Sequence, residues 1–205
     1  MTKKTYERVS SIQRITNETQ INVRVNLDGS GKNSINTGVP FFDHMIQQLS
    51  KHSLMDIDIR CKGDLEIDSH HTIEDVGWAL GKAINVALGT KQGIKRYSFT
   101  YLPMDECLTR CCIDISGRPW LIWNVFLPNV TIKDIQTEIF REFFQSFSQS
   151  AKFTLHIENI YGQNTHHIIE SCFKSTAISL RNAINLDFRN LDSVPSTKGT
   201  LTGNK

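Results

Sequence analysis

The chain has 205 residues, 39% hydrophobic and 21% charged, with a formal net charge of +2. That is enough for one large domain or two small, closely packed halves, and the absence of basic blocks excludes a polybasic nucleic-acid or membrane-surface binder. No stretch reaches the roughly 18 apolar residues of a membrane helix, Met1-Thr2-Lys3-Lys4-Thr5-Tyr6 has no apolar run of signal-peptide type, and five cysteines without a CxxC pair suit free thiols in a reducing, cytoplasmic compartment.

The first element with a clear signal is the turn Asp28-Gly29-Ser30-Gly31-Lys32. Its spacing fails Gly-x-x-x-x-Gly-Lys, so it reads as a turn at a strand end and not as a phosphate loop. Pro40 to Ser50 then carries Phe41, Phe42, Met45, Ile46 and Leu49 at helical spacing. Leu54 to Cys61 alternates, with Met55, Ile57 and Ile59 inward and Asp56, Asp58 and Arg60 outward, as a half-buried strand does. A second helix follows His70, with Ile73, Val76, Ile84, Ala87 and Leu88 on one face. Beyond it, Asp114-Ile115-Ser116-Gly117-Arg118 weakly resembles the first turn, and Trp120–Phe126 is expected to form a long hairpin with the strand before it.

From there the chain repeats itself. An offset of 98 turns the first helix into Ile139, Phe140, Phe143, Phe144 and Phe147, and the strand into Phe153, Leu155 and Ile157. After a two-residue deletion an offset of 96 turns the second helix into Ile169, Cys172, Leu180, Ala183 and Ile184. Helix, strand and helix matched in order with one deletion indicate duplication. The expected fold is α+β: two half-domains, residues 1–92 and 93–190, each a sheet with two helices on one face, then a partly flexible tail over 191–205 rich in Ser, Thr and Gly.

The chemistry sits where the repeats agree. His70-His71-Thr72-Ile73-Glu74 matches His166-His167-Ile168-Ile169-Glu170, so four of the seven histidines fall in two His-His-x-x-Glu motifs. On a helix the first His and the Glu share a face, while the second His points about 100° away. Adjacent imidazoles therefore diverge and suit two different metal centres, unlike His-Glu-x-x-His, which chelates one. A single His-His pair is usually a surface accident, but two in equivalent places with Glu at the same offset point to metal. The repeat also nominates His44 and its equivalent Glu142. Imidazole and carboxylate without thiolate favour manganese, iron, cobalt or zinc, and this chemistry does not choose among them. His156, on the polar side of a strand, reads as structural or a surface residue, and His52, near a helix end, as interacting with the helix dipole or with solvent. Arg96, Arg118, Lys174 and Lys198, the last within Pro195-Ser196-Thr197-Lys198-Gly199, are candidates for holding an anionic, phosphorylated substrate.

Taken together, Phe41-Phe42-Asp43-His44-Met45, Asp68-Ser69-His70-His71-Thr72-Ile73-Glu74-Asp75, Ser116-Gly117-Arg118-Pro119, Asn164-Thr165-His166-His167-Ile168-Ile169-Glu170 and Ser196-Thr197-Lys198-Gly199 resemble the signatures of the imidazoleglycerol-phosphate dehydratase family, in its order and spacing, from about Tyr6 to Leu201. The resemblance implies a fold like the second domain of ribosomal protein S5. It implies a lyase of histidine biosynthesis that dehydrates D-erythro-imidazoleglycerol phosphate to imidazole acetol phosphate, with two manganese ions per active site in a homo-oligomer of 24 subunits. The implied ligands are His44, His70, His71, Glu74, His166, His167 and Glu170. The implied substrate contacts are Glu18, Gln48, Arg96, Arg118, Lys174, Ser196 and Lys198. Glu170 is expected to shuttle the proton, with Glu74 as the alternative. The chain departs from the family at Glu142, where many members carry histidine; the carboxylate is retained as a ligand. Two other readings share the same residues: another metal-dependent enzyme of phosphorylated small molecules, and a metal-assembled chain without catalysis.

Overall fold

The computed structural model describes residues 7–128 and 130–201. The N-terminal hexapeptide considered above and the last four residues of the tail lie outside them. The first half opens on an antiparallel hairpin, β1 (Val9–Ile15) and β2 (Thr19–Asn26), whose turn is organised by Thr16: its hydroxyl accepts from the N–H groups of Glu18 and Thr19 at 3.1 and 2.9 Å. There follow β3 (Asn33–Asn36), α1 (Pro40–Ser53), β4 (Asp56–Gly63) and α2 (His70–Leu88). The sheet order is β1-β2-β4-β3, with β3 parallel to β4.

The second half repeats that plan with β5 (Tyr97–Met104), β6 (Cys107–Asp114), β7 (Trp120–Asn124), α3 (Ile139–Ala151), β10 (Thr154–Tyr161) and α4 (Thr165–Ile184), in the order β5-β6-β10-β7. A small hairpin, β8 (Thr131–Ile132) and β9 (Ile135–Gln136), is inserted before α3.

The hairpin expected at Trp120–Phe126 does not form. β7 lies parallel to β10 instead, Trp120 opposite Thr154 and Asn124 opposite Glu158. The cause is the preceding turn: Gly117, in left-handed backbone (φ 76°), donates its N–H to the Lys152 carbonyl at 3.1 Å, just beyond α3, and so carries the chain past β10. Gly31 (φ 81°) bonds the Leu54 carbonyl beyond α1 at the same 3.1 Å. The faint likeness of the two turns thus marks one crossover used twice.

Alternation puts Ile21, Val23, Val25, Ile57 and Ile59 on the inner face of the first sheet and Cys111, Ile113, Leu155 and Ile157 on that of the second. α2 covers β1 and β2, and α4 covers β5 and β6. The halves then meet helix against helix, α1 on α4 and α2 on α3. Phe140, Phe143, Phe144, Phe147, Phe153 and Phe173 fill the interior, each worth roughly 2–3 kcal/mol of apolar burial. α2 comes so near α3 that a Cβ on Gly81 would lie 2.4 Å from the Phe147 carbonyl oxygen. The outer faces differ: Gln20, Asn22, Arg24, Asp58, Arg60 and Lys62 on the first sheet, but exposed Tyr97, Phe99, Tyr101, Trp120 and Ile122 on the second. Among the described residues no helix is long and apolar enough to cross a membrane.

Candidate functional site

Both His-His-x-x-Glu motifs open a helix, and each start is fixed by a short polar side chain. The Asn164 Oδ1 accepts from the N–H groups of His166 and His167 at 2.9 and 3.4 Å, and Asp68 Oδ1 accepts from that of His70 at 2.7 Å. In α4 the helical spacing then brings His166 Nε2 to 2.9 Å from Glu170 Oε2. Because α1 packs on α4, His44 Nε2 comes within 3.5 Å of the same oxygen. Ligand atoms of His44, His166 and Glu170 all lie within 4.8 Å of one another, and they form the one such group of three or more among the described residues.

The other carboxylate oxygen of Glu170 accepts from Lys174 Nζ at 2.6 Å. Burial alone would raise the Glu170 pKa, yet the bonds from Lys174 and His166, with the charges of Lys174 and His44, hold it below the ordinary glutamate value. The group is an ionised acceptor held by Lys174 and two imidazoles.

The second histidine of each motif turns away from this cluster. His71 Nδ1 meets Asp64 Oδ2 at 2.9 Å, and His167 Nδ1 meets Glu106 Oε2 at 2.7 Å. Each ring is oriented through Nδ1 by a carboxylate, as metal-bound imidazoles usually are, and the His167 Nε2 lies 3.9 Å from Asp105 Oδ2. The bond to Asp64 raises the His71 pKa. Hydrogen bonds from the Asn164 backbone, His167 and the Gln163 backbone bring Glu106 down to about 2. Asp64 and Glu106 were not nominated from sequence. A signal existed: Glu106 stands immediately before the second strand of its hairpin, as Glu18 does, and Glu18 Oε1 lies 3.7 Å from His71 Nε2.

The first half does not mirror the cluster in full. His70 Nε2 lies 3.3 Å from Glu74 Oε2, but both side chains are about half exposed (46% and 47%), against 7% for Glu170. Glu142 accepts from its neighbour Arg141 at 2.8 Å and is in no group of three metal-capable side chains among the described residues. Trp78 stands where the repeat has Lys174, with Arg14 4.7 Å over its ring.

Along α1, Gln48 and His52 follow His44 at successive turns, both half-buried. Burial and then the charge of Lys174 lower the His52 pKa, so this half-buried residue lies within the field of the charged groups of α4. His156 is exposed on the outer face of β10, as its strand position implied.

The remaining basic residues gather elsewhere. Arg96 pairs with Asp114 at 2.7 and 3.2 Å and donates Nη1 to the Pro195 carbonyl at 2.8 Å, next to Ser196. Its own carbonyl accepts from Ile115 at 3.1 Å, which ties in the turn bearing Arg118. Its N–H reaches the Ala183 carbonyl at 2.9 Å, near the C-terminal end of α4. Glu170 sits near the other end, so at 1.5 Å per residue the two lie about 20 Å apart along the helix. Cys107, Cys111 and Cys172 are buried, and burial pushes the Cys111 thiol up to about 12.

Residues 37–180 match the family model for imidazoleglycerol-phosphate dehydratase. The chain belongs to that family. Proteins named imidazoleglycerol-phosphate dehydratase from Sinorhizobium fredii and Agrobacterium fabrum are 53% and 55% identical to it, covering 96% and 95% of this chain and 98% of each relative. Crystal structures of the dehydratases of Staphylococcus aureus and Pyrococcus furiosus superpose with a TM-score of 0.80 each, at 36% and 30% identity, over 87% and 93% of this chain and 99% and 100% of theirs. Imidazoleglycerol-phosphate dehydratases are hydro-lyases, and membership makes this chain an enzyme of histidine biosynthesis.

Proposed function

We propose that this enzyme removes water from D-erythro-imidazoleglycerol phosphate to give imidazole acetol phosphate, with two divalent metals, manganese by family resemblance, in a site completed by a second copy of the chain. The observation that carries the reading is the cluster of His44, His166, Glu170 and Lys174, which joins the two halves of the duplication around one ionised carboxylate.

The donor set fits a metal. It is nitrogen and oxygen only, and the carboxylates behind His71 and His167 supply negative charge and ring orientation. Asp64 Oδ1 is buried without a partner, a cost that a nearby cation would offset. His44, His166 and Glu170 would hold one ion, and His70, His71, Glu74, Glu142 and His167 supply further ligands. A bound metal acts as a Lewis acid toward the substrate's imidazole.

The chain's own residues do the rest. The hydroxyl on the carbon beside the imidazole takes up a proton and leaves as water, and a proton leaves the next carbon, giving an enol that becomes the ketone. Glu170, kept ionised by Lys174 and His166, is the acceptor for that proton, with Glu74 as alternative, and Lys174 is within reach to return one. Arg96, Arg118, Ser196 and Lys198 hold the phosphate, while Gln48 and Glu18 orient the middle of the substrate. An imidazole joined to a three-carbon phosphate ester does not reach across the 20 Å or so between these two groups within one chain, which supports a site shared between copies. The exposed aromatic face of the second sheet supports a homo-oligomer, of 24 subunits by resemblance. The free thiols support a cytoplasmic setting.

Protein stripped with a chelator should lose formation of the enolisable ketone and regain it with manganese. Protein that assembles but stays inactive with manganese, iron, cobalt and zinc would be a metal-assembled chain without this catalysis.

A further inference from the structure

Lys91 is the most deeply buried cation among the described residues, 1% exposed, just beyond α2. Its Nζ donates to the Leu201 carbonyl at 3.0 Å. No carboxylate among the described residues bonds it: Asp114 exerts a favourable charge but both its oxygens are taken by Arg96, and Lys152 adds a second positive charge. Burial first, and Lys152 next, lower the Lys91 pKa to about 8. An ammonium placed this way costs the fold stability, so its retention calls for a function.

The bond closes a loop. At its upstream end Gly93 donates to the Ser193 carbonyl at 2.9 Å and Arg96 to that of Pro195 at 2.8 Å. At its downstream end Lys91 holds Leu201, whose side chain is also buried. Between the clamps lies a tight turn in which the Ser196 carbonyl accepts from Gly199 at 2.9 Å and the Ser196 hydroxyl from the Lys198 N–H at 3.2 Å. Both clamps come from one short connection, Lys91 to Arg96, between α2 and β5.

We infer that Lys91 is a positioning residue for the phosphate-holding turn: it anchors the far end of the Pro195–Leu201 loop so that Ser196 and Lys198 are presented to phosphate in a fixed arrangement. The inference rests on the reading above in which those two residues take the phosphate. Anchoring both ends lowers the ordering cost that a free tail would meet on binding.

The test is Lys91→Met in the full-length, metal-loaded enzyme. Methionine has similar volume and no charge, so the thermal midpoint should hold or rise. The KM for imidazoleglycerol phosphate and the inhibition constant of inorganic phosphate should each rise about tenfold, with kcat changed less than about threefold. Deleting residues 201–205 breaks the same bond with Lys91 in place; it should give the same rise, and Lys91→Met in that background should add nothing. Ser196→Ala and Lys198→Met measure the underlying reading separately. If they raise both constants and Lys91→Met leaves both within about twofold, the anchor role is wrong while the phosphate reading stands. If they do not raise them, the phosphate reading falls and the inference with it. A Lys91→Met enzyme with a lowered midpoint and kcat and KM degraded alike would make Lys91 a core support and overturn the inference.

Discussion

Glu170 and Lys91 are both charges taken almost out of water, and the chain treats them oppositely. Glu170 has Lys174, His166 and His44 around it, which outweigh burial and keep it ionised. Lys91 has one carbonyl and a second lysine, so burial wins and its pKa falls from 10.5 to about 8. The unfolded chain, with the ordinary lysine value, therefore binds more protons between those limits, and the Lys91 contribution to stability rises with pH across them. A shift of that size is worth about 3 kcal/mol for a group buried this completely. Unfolding titrations of the wild type and Lys91→Met between pH 7 and 10.5 should show the wild type gaining about that amount relative to the variant; Lys152 and Asp114, which face Lys91, remain in both proteins. A flat difference would mean that Lys91 is already neutral at pH 7 or well hydrated. At this scale, what was legible in sequence depended on periodicity. The i, i+4 pairing of His166 with Glu170 follows from one helix, and His44 follows from the repeat. Asp64 and Glu106 sit in loops, where no period links them to the imidazoles they orient. The place of His52 against Lys174 depends on how α1 and α4 cross, which no spacing within α1 encodes.

The helices were legible because apolar residues recur at helical spacing over many turns, and the same pattern in both halves identified each pair, although α1 runs to Ser53, a turn beyond the last apolar position. The edge strands were not. β3 and β7 are short, and alternation in a strand says which face is buried but not which neighbour it pairs with; the informative residues were Gly31 and Gly117, whose shared backbone bond sends each strand to the parallel edge. The packing of α2 on α3 gives an element-scale prediction. In an exposed helix Gly→Ala gains about 1 kcal/mol from propensity. At Gly81 the new Cβ would meet the Phe147 carbonyl oxygen at 2.4 Å and the Ala151 nitrogen at 3.0 Å, both backbone atoms that cannot swing aside. The helices must separate, and several of the phenylalanines behind them lose close packing. Gly81→Ala should therefore destabilise the protein by a net 1–3 kcal/mol or so, read as a lower urea midpoint with an unchanged slope. A raised midpoint would show that α2 and α3 can slide apart freely.

Duplication gave this chain two copies of one half-domain, and the copies have since diverged in what they expose and what they hold. The compact cluster lies at the N-terminal end of α4, its first-half counterpart is open to solvent, and the basic turn lies beyond the C-terminal end of the same helix. On the proposed reading, the carboxylate cluster lies at one end of α4 and the residues that would hold phosphate at the other, and a second chain supplies the missing part of each site. Glu170→Gln removes the proposed proton acceptor while keeping its shape, and turnover should fall about a hundred- to ten-thousandfold. Lys198→Glu reverses the charge of an exposed side chain and should abolish phosphate binding without touching the core. Each variant assembled alone is then inactive, the first in every proton-transfer half-site, the second in every phosphate half-site. If sites are shared, dissociating the two variants, mixing them and reassembling them with manganese should restore activity that neither has alone, because some interfaces pair an intact Glu170 with an intact Lys198 from different chains. The chain carrying both substitutions, mixed with either single variant, should restore none, because no such pairing can arise. Absence of recovery in a mixture shown by mass spectrometry to contain both chains in one assembly would mean that each site is built within one chain, and that the helix-length separation is bridged by a rearrangement of the tail.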